Sequence, residues 1–309
     1  MSAAISARKL VKQYRKVRAL NEISLEIPRG SIFGLVGSNG AGKTTLMSIS
    51  SGLIKPDGGE CNILGDGNFN PKRHAGRISI LPQDSVPPRY ARVDHMLHYY
   101  ALLQGLSPHE ARDAIREVLC WVNLEDRLTD PVRSLSHGML RRFTVAQAFL
   151  GNPEIVLLDE PMSGLDPLEV NSLRELIRSR RGKQTIVISS HILHELQHIC
   201  DEAAFIERGE LVRQDTMQGI TRLGEQINIR IKGTPPLEAI QQAIAPHHAA
   251  FDEQQGLIHI HLDNESSNAH VGSINEIVLR ALLDARCEVL ELLRGSNLES
   301  EYLKQHGEA

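Results

Sequence analysis

The octapeptide Gly37-Ser38-Asn39-Gly40-Ala41-Gly42-Lys43-Thr44 fits the spacing G-x-x-x-x-G-K-[ST], which suits a polyphosphate. Glycines let a backbone wrap an anion without Cβ clashes. The freed N–H groups, together with a helix N-terminus, then face the phosphates. Lys43 can add a point charge at the β and γ phosphates, and Thr44 can offer a hydroxyl to Mg²⁺. A second stretch, EIVLLDEP, ends a run of apolar residues on two carboxylates. Asp159 closes the buried run, where a carboxylate needs a cation, and hydrated Mg²⁺ fits. Glu160 is placed to take a proton from an attacking water. The plain alternatives are a glycine-rich connector and two carboxylates capping a strand. The co-occurrence of both patterns in one chain argues against them.

A third pattern competes. HELQH, residues 194–198, has the H-E-x-x-H spacing of zinc proteases. Zinc catalysis needs a third ligand and an open coordination position. Carboxylates downstream (Glu202, Glu207, Glu225) leave the third ligand open as a matter of sequence. With 14 histidines in the chain, a chance match is cheap, and we read the stretch as a coincidence on a helix. His191, His194 and His198 are expected along one helical flank. His247 and His248 are read as a polar turn, and His259 and His261 as the solvated face of a strand.

These residues need a scaffold. SIFGLVG is a short apolar strand before the phosphate loop, and TTLMSISSGL after it has helical spacing. ISLEI alternates as a half-buried strand. EIVLLDE and TIVISSH read as buried strands with helices after them, and HEARDAIREVLCWVNL as an amphipathic helix. Strands alternating with helices imply a parallel sheet with crossover connections. Beyond residue 220 the pattern changes. INIRIKG puts Ile227, Ile229 and Ile231 on one strand face, and LIHIHLD does the same with Ile258, Ile260 and Leu262. SINEIVLRALLDA reads as a helix, CEVLELL as a strand, and NLESEYLKQ as a short closing helix.

Composition removes several classes. A formal charge of −4 gives no electrostatic footprint for nucleic acid. Cys61, Cys120, Cys200 and Cys287 are scattered without a C-x-x-C pair, which fits a reducing compartment and not a disulfide framework. No secretory leader and no apolar run of membrane-spanning length is evident, so the expectation is a soluble intracellular chain. Arg141 and Arg142 are read as a solvated or dimer-contact face.

Taken in order, the motifs resemble those of the nucleotide-binding subunits of ATP-binding cassette (ABC) transporters, over roughly residues 5–215. Tyr14 stands where the family has an aromatic that stacks on adenine. GSNGAGKTT, from Gly37 to Thr45, matches the Walker A loop, and IVLLDE matches Walker B. Gln83 in ILPQD matches the Q-loop glutamine, and LSHGM matches the signature LSGGQ through Ser136 and Gly138. His137 and Met139 depart from it. SGLDP matches the D-loop, with Asp166 at its acidic position, and His191 matches the switch histidine.

The resemblance implies an α/β fold: a P-loop NTPase cassette over residues 1–220, with a mixed, largely parallel sheet core and a helical subdomain at about 84–150. A small α/β accessory domain would follow at 221–309. It also implies an active ATPase with ATP and Mg²⁺. Glu160, His191 and Gln83 would take part in catalysis, and Thr44, Gln83 and Asp159 would arrange the metal. Tyr14, the loop Gly37–Thr45, Ser136, Gly138 and Asp166 would contact nucleotide. In this family the nucleotide lies between Walker A of one subunit and the signature of the other, so a homodimer is expected. The partner would be a separate transmembrane permease, with the cassette on the cytoplasmic face of the inner or plasma membrane. The tail VLELLRGSNLESEYLKQHG resembles that of cassettes paired with ABC-2 type permeases, which implies export. Import is the alternative, then a soluble non-transport ABC ATPase.

Overall fold

The computed structural model describes residues 2–222, 226–253, 256–261 and 268–294. By internal contacts the chain divides into two units, Met1–Met217 and Gln218–Ala309.

The first unit begins with a hairpin, β1 (Ala3–Tyr14) and β2 (Val17–Pro28). Alternation, reset by register shifts between Ala7 and Leu10 and between Leu10 and Lys12, sends Ile5, Leu10, Leu20, Ile23 and Ile27 into the core. The short buried strand β3 (Ile32–Val36) leads through the glycine-rich loop into α1 (Lys43–Ser50). Next comes β4 (Gly58–Ile63), which pairs antiparallel with β1 and completes a three-stranded sheet of order β2-β1-β4. After the single turn α2 (Pro71–His74) runs β5 (Ile78–Leu81).

Three helices come next: α3 (Val93–Leu103), α4 (Pro108–Trp121) and α5 (His137–Phe149). A capping box starts α4, with Ser107 and Glu110 satisfying each other's backbone N–H groups. The chain then returns to a larger sheet through β6 (Ile155–Leu158), α6 (Pro167–Ser179), β7 (Thr185–Ser190) and α7 (Leu193–Leu196). The unit closes with β8 (Glu202–Glu207) and β9 (Glu210–Thr216), and α8 (Met217–Arg222) begins at the division between the units.

The larger sheet has the order β5-β6-β7-β3-β8-β9. Its first five strands run parallel, and β9 is antiparallel to β8. Every residue of β3, β6 and β7 is buried, as expected for parallel strands covered on both faces. Register sets where each strand ends. Leu81 of β5 lies beside Leu158 of β6, Leu158 beside Ile188 of β7, and Val36 of β3 beside Ser190 of β7. The carboxyl ends of four strands therefore reach one edge. In open parallel sheets ligands bind outside that edge, where connections diverge to opposite sides.

The second unit contains β10 (Gln226–Lys232), α9 (Leu237–Ala243), β11 (His248–Asp252), β12 (Leu257–His261), α10 (Asn268–Asp284) and β13 (Glu288–Arg294). Its strands form an antiparallel sheet of order β11-β12-β10-β13. Ile227, Ile229, Ile231, Ile258 and Ile260 meet Ile240, Ile274, Val278 and Leu282 of the two helices in one core. The four-residue spacing of the α10 residues makes the apolar stripe that covers one sheet face. Leu262 and the expected closing helix at NLESEYLKQ lie outside the described residues.

Two sequence expectations are corrected here. His247 closes a turn, its N–H donating to the Ile244 carbonyl at 2.9 Å, but it is 5% exposed and its carbonyl accepts from the Gln241 side chain, while His248 opens β11, so the pair is not a solvated polar turn. His191, His194 and His198 do not share a helical flank, because α7 is only Leu193–Leu196, flanked by His191 before it and His198 after it.

Candidate active site

Four segments leave the common sheet edge: the loop after β3, Gln83 after β5, Asp159 and Glu160 after β6, and His191 after β7. The loop after β3 is tightly built. A Cβ on Gly37 would lie 2.2 Å from the Ile206 carbonyl oxygen, so only glycine fits there. Gly42 caps α1 at φ 112°, and with no side chain over that end the loop and first-turn N–H groups can face an anion.

Lys43 is 5% exposed and folds back over this loop. Its Nζ donates to the carbonyls of Gly37 at 2.6 Å and Ser38 at 3.1 Å, and stands 3.8 Å from Glu160 Oε1. Burial pulls the ammonium below its ordinary pKa, with the charges of Glu160 and Asp159 acting in the opposite sense. A buried cation held only by carbonyls and a carboxylate at this distance is a favourable counter-charge for a polyphosphate.

Asp159 is 1% exposed. Thr44 Oγ1 donates to its Oδ2 at 2.6 Å, and Ser189 Oγ donates to its Oδ1 at 2.5 Å. Among the described residues no cation stands within ion-pair distance of it. Hard oxygen donors, one a buried carboxylate without a paired cation, are the donor set that Mg²⁺ takes. Thr44 and Asp159 thus fit the metal expected of them.

Glu160 is 5% exposed, and its carboxylate lies 3.0 Å (Oε2) and 3.2 Å (Oε1) from His191 Nδ1. Its φ of +49° lies in the left-handed region, a conformation that costs a non-glycine residue about 1–3 kcal/mol. Ser189 serves it as well, with its Oγ accepting the Glu160 N–H at 2.8 Å. One hydroxyl therefore orients both carboxylate-bearing residues.

Of the other expected residues, Gln83 follows β5 at the same edge, and the rest stand elsewhere in the unit. Gln83 is exposed, and its carbonyl accepts from Arg141 at 3.4 Å. Ser136 is the N-cap of α5 and accepts the Met139 N–H at 3.2 Å. Gly138 is buried in the first turn of that helix, against the Glu169 carboxylate. The His137 imidazole rests over Gly164, where an added Cβ would lie 3.0 Å from Nε2. Asp166 is the N-cap of α6 and accepts from Leu168 and Glu169. Tyr14 is 45% exposed, with Lys12 Nζ 5.6 Å from its ring centroid. Among the described residues, no hydrogen bond or ion pair joins Tyr14, Ser136, Gly138 or Asp166 to the phosphate loop.

One residue is missing from the sequence reading and another is placed differently by the structure. Ser189 is a hydroxyl on a fully buried strand, and a buried hydroxyl must find a partner. Arg141 is not a solvated face, and this is a correction. Its guanidinium reaches the carbonyls of Asp159, Glu160 and Pro161, and burial lowers its pKa. The helical spacing with buried Gly138, Val145 and Ala148 was the available signal. Arg142 likewise turns inward, donating to Val122 O at 2.7 Å.

The HELQH stretch does other work. Gln197 Nε2 lies 2.7 Å from His194 Nδ1 and 3.2 Å from His198 Nε2, and Glu195 accepts the Ser190 hydroxyl at 2.6 Å. Among the described residues no three His, Cys, Asp or Glu side chains stand where they could share one metal ion.

Comparison with known proteins identifies the chain's relatives. Residues 20–163 match the ABC transporter domain family. The Nod factor export ATP-binding protein I of Burkholderia thailandensis is 31% identical, across 99% of this chain and 97% of its own. An uncharacterized ABC transporter ATP-binding protein of Nostoc is 38% identical over 71% of this chain and 65% of its own. Among solved structures, an ATP-binding subunit of an ABC transporter superposes with a TM-score of 0.63 at 27% identity, over 71% of this chain and 92% of that one. The chain belongs to the ATP-binding subunits of the ABC transporter family.

Proposed function

We propose that this chain is the ATP-hydrolysing subunit of an exporter and acts as a homodimer on a separate ABC-2 type permease at the cytoplasmic face of a membrane. The observation that carries the catalytic part is the convergence of Lys43, Thr44, Asp159, Glu160 and His191 at one sheet edge. Export is supported by the Nod factor export proteins, whose similarity runs through both units of this chain.

In this reading Lys43 and the loop N–H groups hold the phosphates, and Tyr14 stacks on the adenine. Thr44, Asp159 and Gln83 would hold Mg²⁺, which would supply positive charge to the phosphate oxygens. Glu160 takes the proton of the attacking water, while His191 Nδ1 keeps its carboxylate oriented. The partner's signature turn, beginning at Ser136 and Gly138, adds a helix N-terminus to the γ-phosphate side, with Asp166 fixing the neighbouring turn. ATP then favours the closed pair, and hydrolysis releases it.

The permease needs a docking face. Val86, Tyr90, Tyr99 and Leu103 are large, apolar and exposed within the segment that follows Gln83. Val86 also borders a groove of about 440 Å³ together with Pro87, Arg89, Val132 and Leu135. Among the described residues no helix is long and apolar enough to cross a membrane, so the spanning part would come from another chain.

The test uses the chain co-expressed with an ABC-2 type membrane protein that co-purifies with it from membranes. In inside-out vesicles, ATP added outside should drive cargo inward if the system exports. Outward movement would establish import instead. A Glu160→Gln variant that stays monomeric at saturating Mg²⁺–ATP, with and without the permease, would remove the shared-site reading.

A further inference from the structure

A left-handed Glu160 persists only if its surroundings fix it from more than one side. Ser189 holds its N–H. The carbonyl side is held by Arg141, which reaches across from α5. Nη2 donates to the Glu160 carbonyl, and to the Asp159 carbonyl at 3.4 Å. Nε donates to the Pro161 carbonyl at 3.0 Å, and Nη1 to the Gln83 carbonyl at 3.4 Å. One guanidinium therefore serves three consecutive carbonyls after β6 and one after β5. Its helix is the one that Ser136 caps.

We propose that Arg141 is a positioning residue for ATP hydrolysis: it fixes the strained backbone from which Glu160 projects and ties it to the Gln83 segment. The inference rests on the ATPase reading of the site and adds a residue to it. Arg141 touches no expected nucleotide position, so it acts through Glu160. Its fork matters more than its charge. A lysine carries one point charge on a flexible stem and cannot serve four spread carbonyls at once. Burial works against the charged form here, and the carboxylates of Asp159, Glu160 and Asp84 oppose that. A residue that merely anchored α5 would share the burial but would leave turnover by the folded protein intact.

The experiment compares the full-length wild type with Arg141→Lys and Arg141→Met. Steady-state ATP hydrolysis, nucleotide affinity and Tm are measured on each. A shift of the carboxylate by a fraction of an ångström should lower kcat about 10–100-fold in both variants, with KM and nucleotide affinity within about 3-fold of wild type. Adding Arg141→Met to Glu160→Gln should cost nothing further in residual rate, because the two act as one unit. Where Arg141→Met fails to fold, Arg141→Lys carries the test alone. Unchanged kcat in Arg141→Lys, a parallel fall of kcat and nucleotide affinity, or fully additive losses with Glu160→Gln would each overturn the proposal. A wild type that binds but never hydrolyses ATP would remove the ATPase reading itself, a different result from active wild type with unaffected variants.

Discussion

Thr44 Oγ1 donates to Asp159 Oδ2 at 2.6 Å, joining the first turn of α1 to the end of β6 across 115 positions of sequence. The two oxygens are neighbours before any metal is considered. Asp159→Asn keeps the shape and removes the charge. The Mg²⁺ concentration needed for half-maximal ATP hydrolysis should rise at least about 10-fold, with ATP binding in EDTA little changed. A magnesium titration measures this, and an unshifted midpoint would count against Asp159 as a ligand.

Glu160→Gln retains the size of the side chain and loses its basicity. Turnover should fall by about 10²–10⁴-fold while Mg²⁺–ATP affinity stays near wild type. Steady-state hydrolysis beside equilibrium binding reads both quantities, and equal loss of both would reassign Glu160 to binding.

Ser189→Ala removes one hydroxyl from two partners, leaving the Glu160 N–H and an Asp159 oxygen unsatisfied in a buried place. The expected cost is about 1–3 kcal/mol of stability. Because the hydroxyl orients both acidic residues, kcat should fall about 10–100-fold in the fraction that remains folded. Denaturant melts and single-turnover rates separate the two effects.

Gly37→Ala drives a Cβ toward the Ile206 carbonyl, a backbone atom that cannot swing aside. Overpacking of this kind costs about 1–3 kcal/mol, and displacement of the loop should remove measurable ATP binding. Calorimetric titration with ATP is the check. Wild-type affinity would show that the loop has room to move.

Chelators discriminate between the two metals written into the sequence. EDTA should abolish hydrolysis and excess Mg²⁺ should restore it, while a zinc-selective chelator should have no effect. Restoration by zinc and not by magnesium would return HELQH to consideration as a metal site.

Much of the site could be read from the sequence because its parts are contiguous. Lys43 and Thr44 sit in one loop, and Asp159 and Glu160 end one apolar run, so spacing alone identifies them. The parallel sheet was readable for the same reason: fully apolar strands such as IVLL leave few alternatives. The expectations about Arg141, about the turn at His247 and about a shared flank for His191, His194 and His198 went astray for different reasons: Arg141 answers to carbonyls distant in sequence, whereas the other two depend on local burial and on where a short helix stops. An arginine pair in a helix looks solvated until the carbonyls after β6 are known to lie beneath one of the two. The run from His191 to His198 looks like two turns of helix until α7 is found to span only Leu193–Leu196. Ser189 is the intermediate case: burial of its strand was readable, but its pair of partners was not.

Gly164 is held first by its own backbone: at φ +75° any side chain there is strained, and the His137 ring, 3.0 Å from where a Cβ would stand, would have to give by a few tenths of an ångström as well. Homologues should therefore keep glycine at 164 whatever residue stands at 137, and a β-branched residue found there would show that this turn can be built another way.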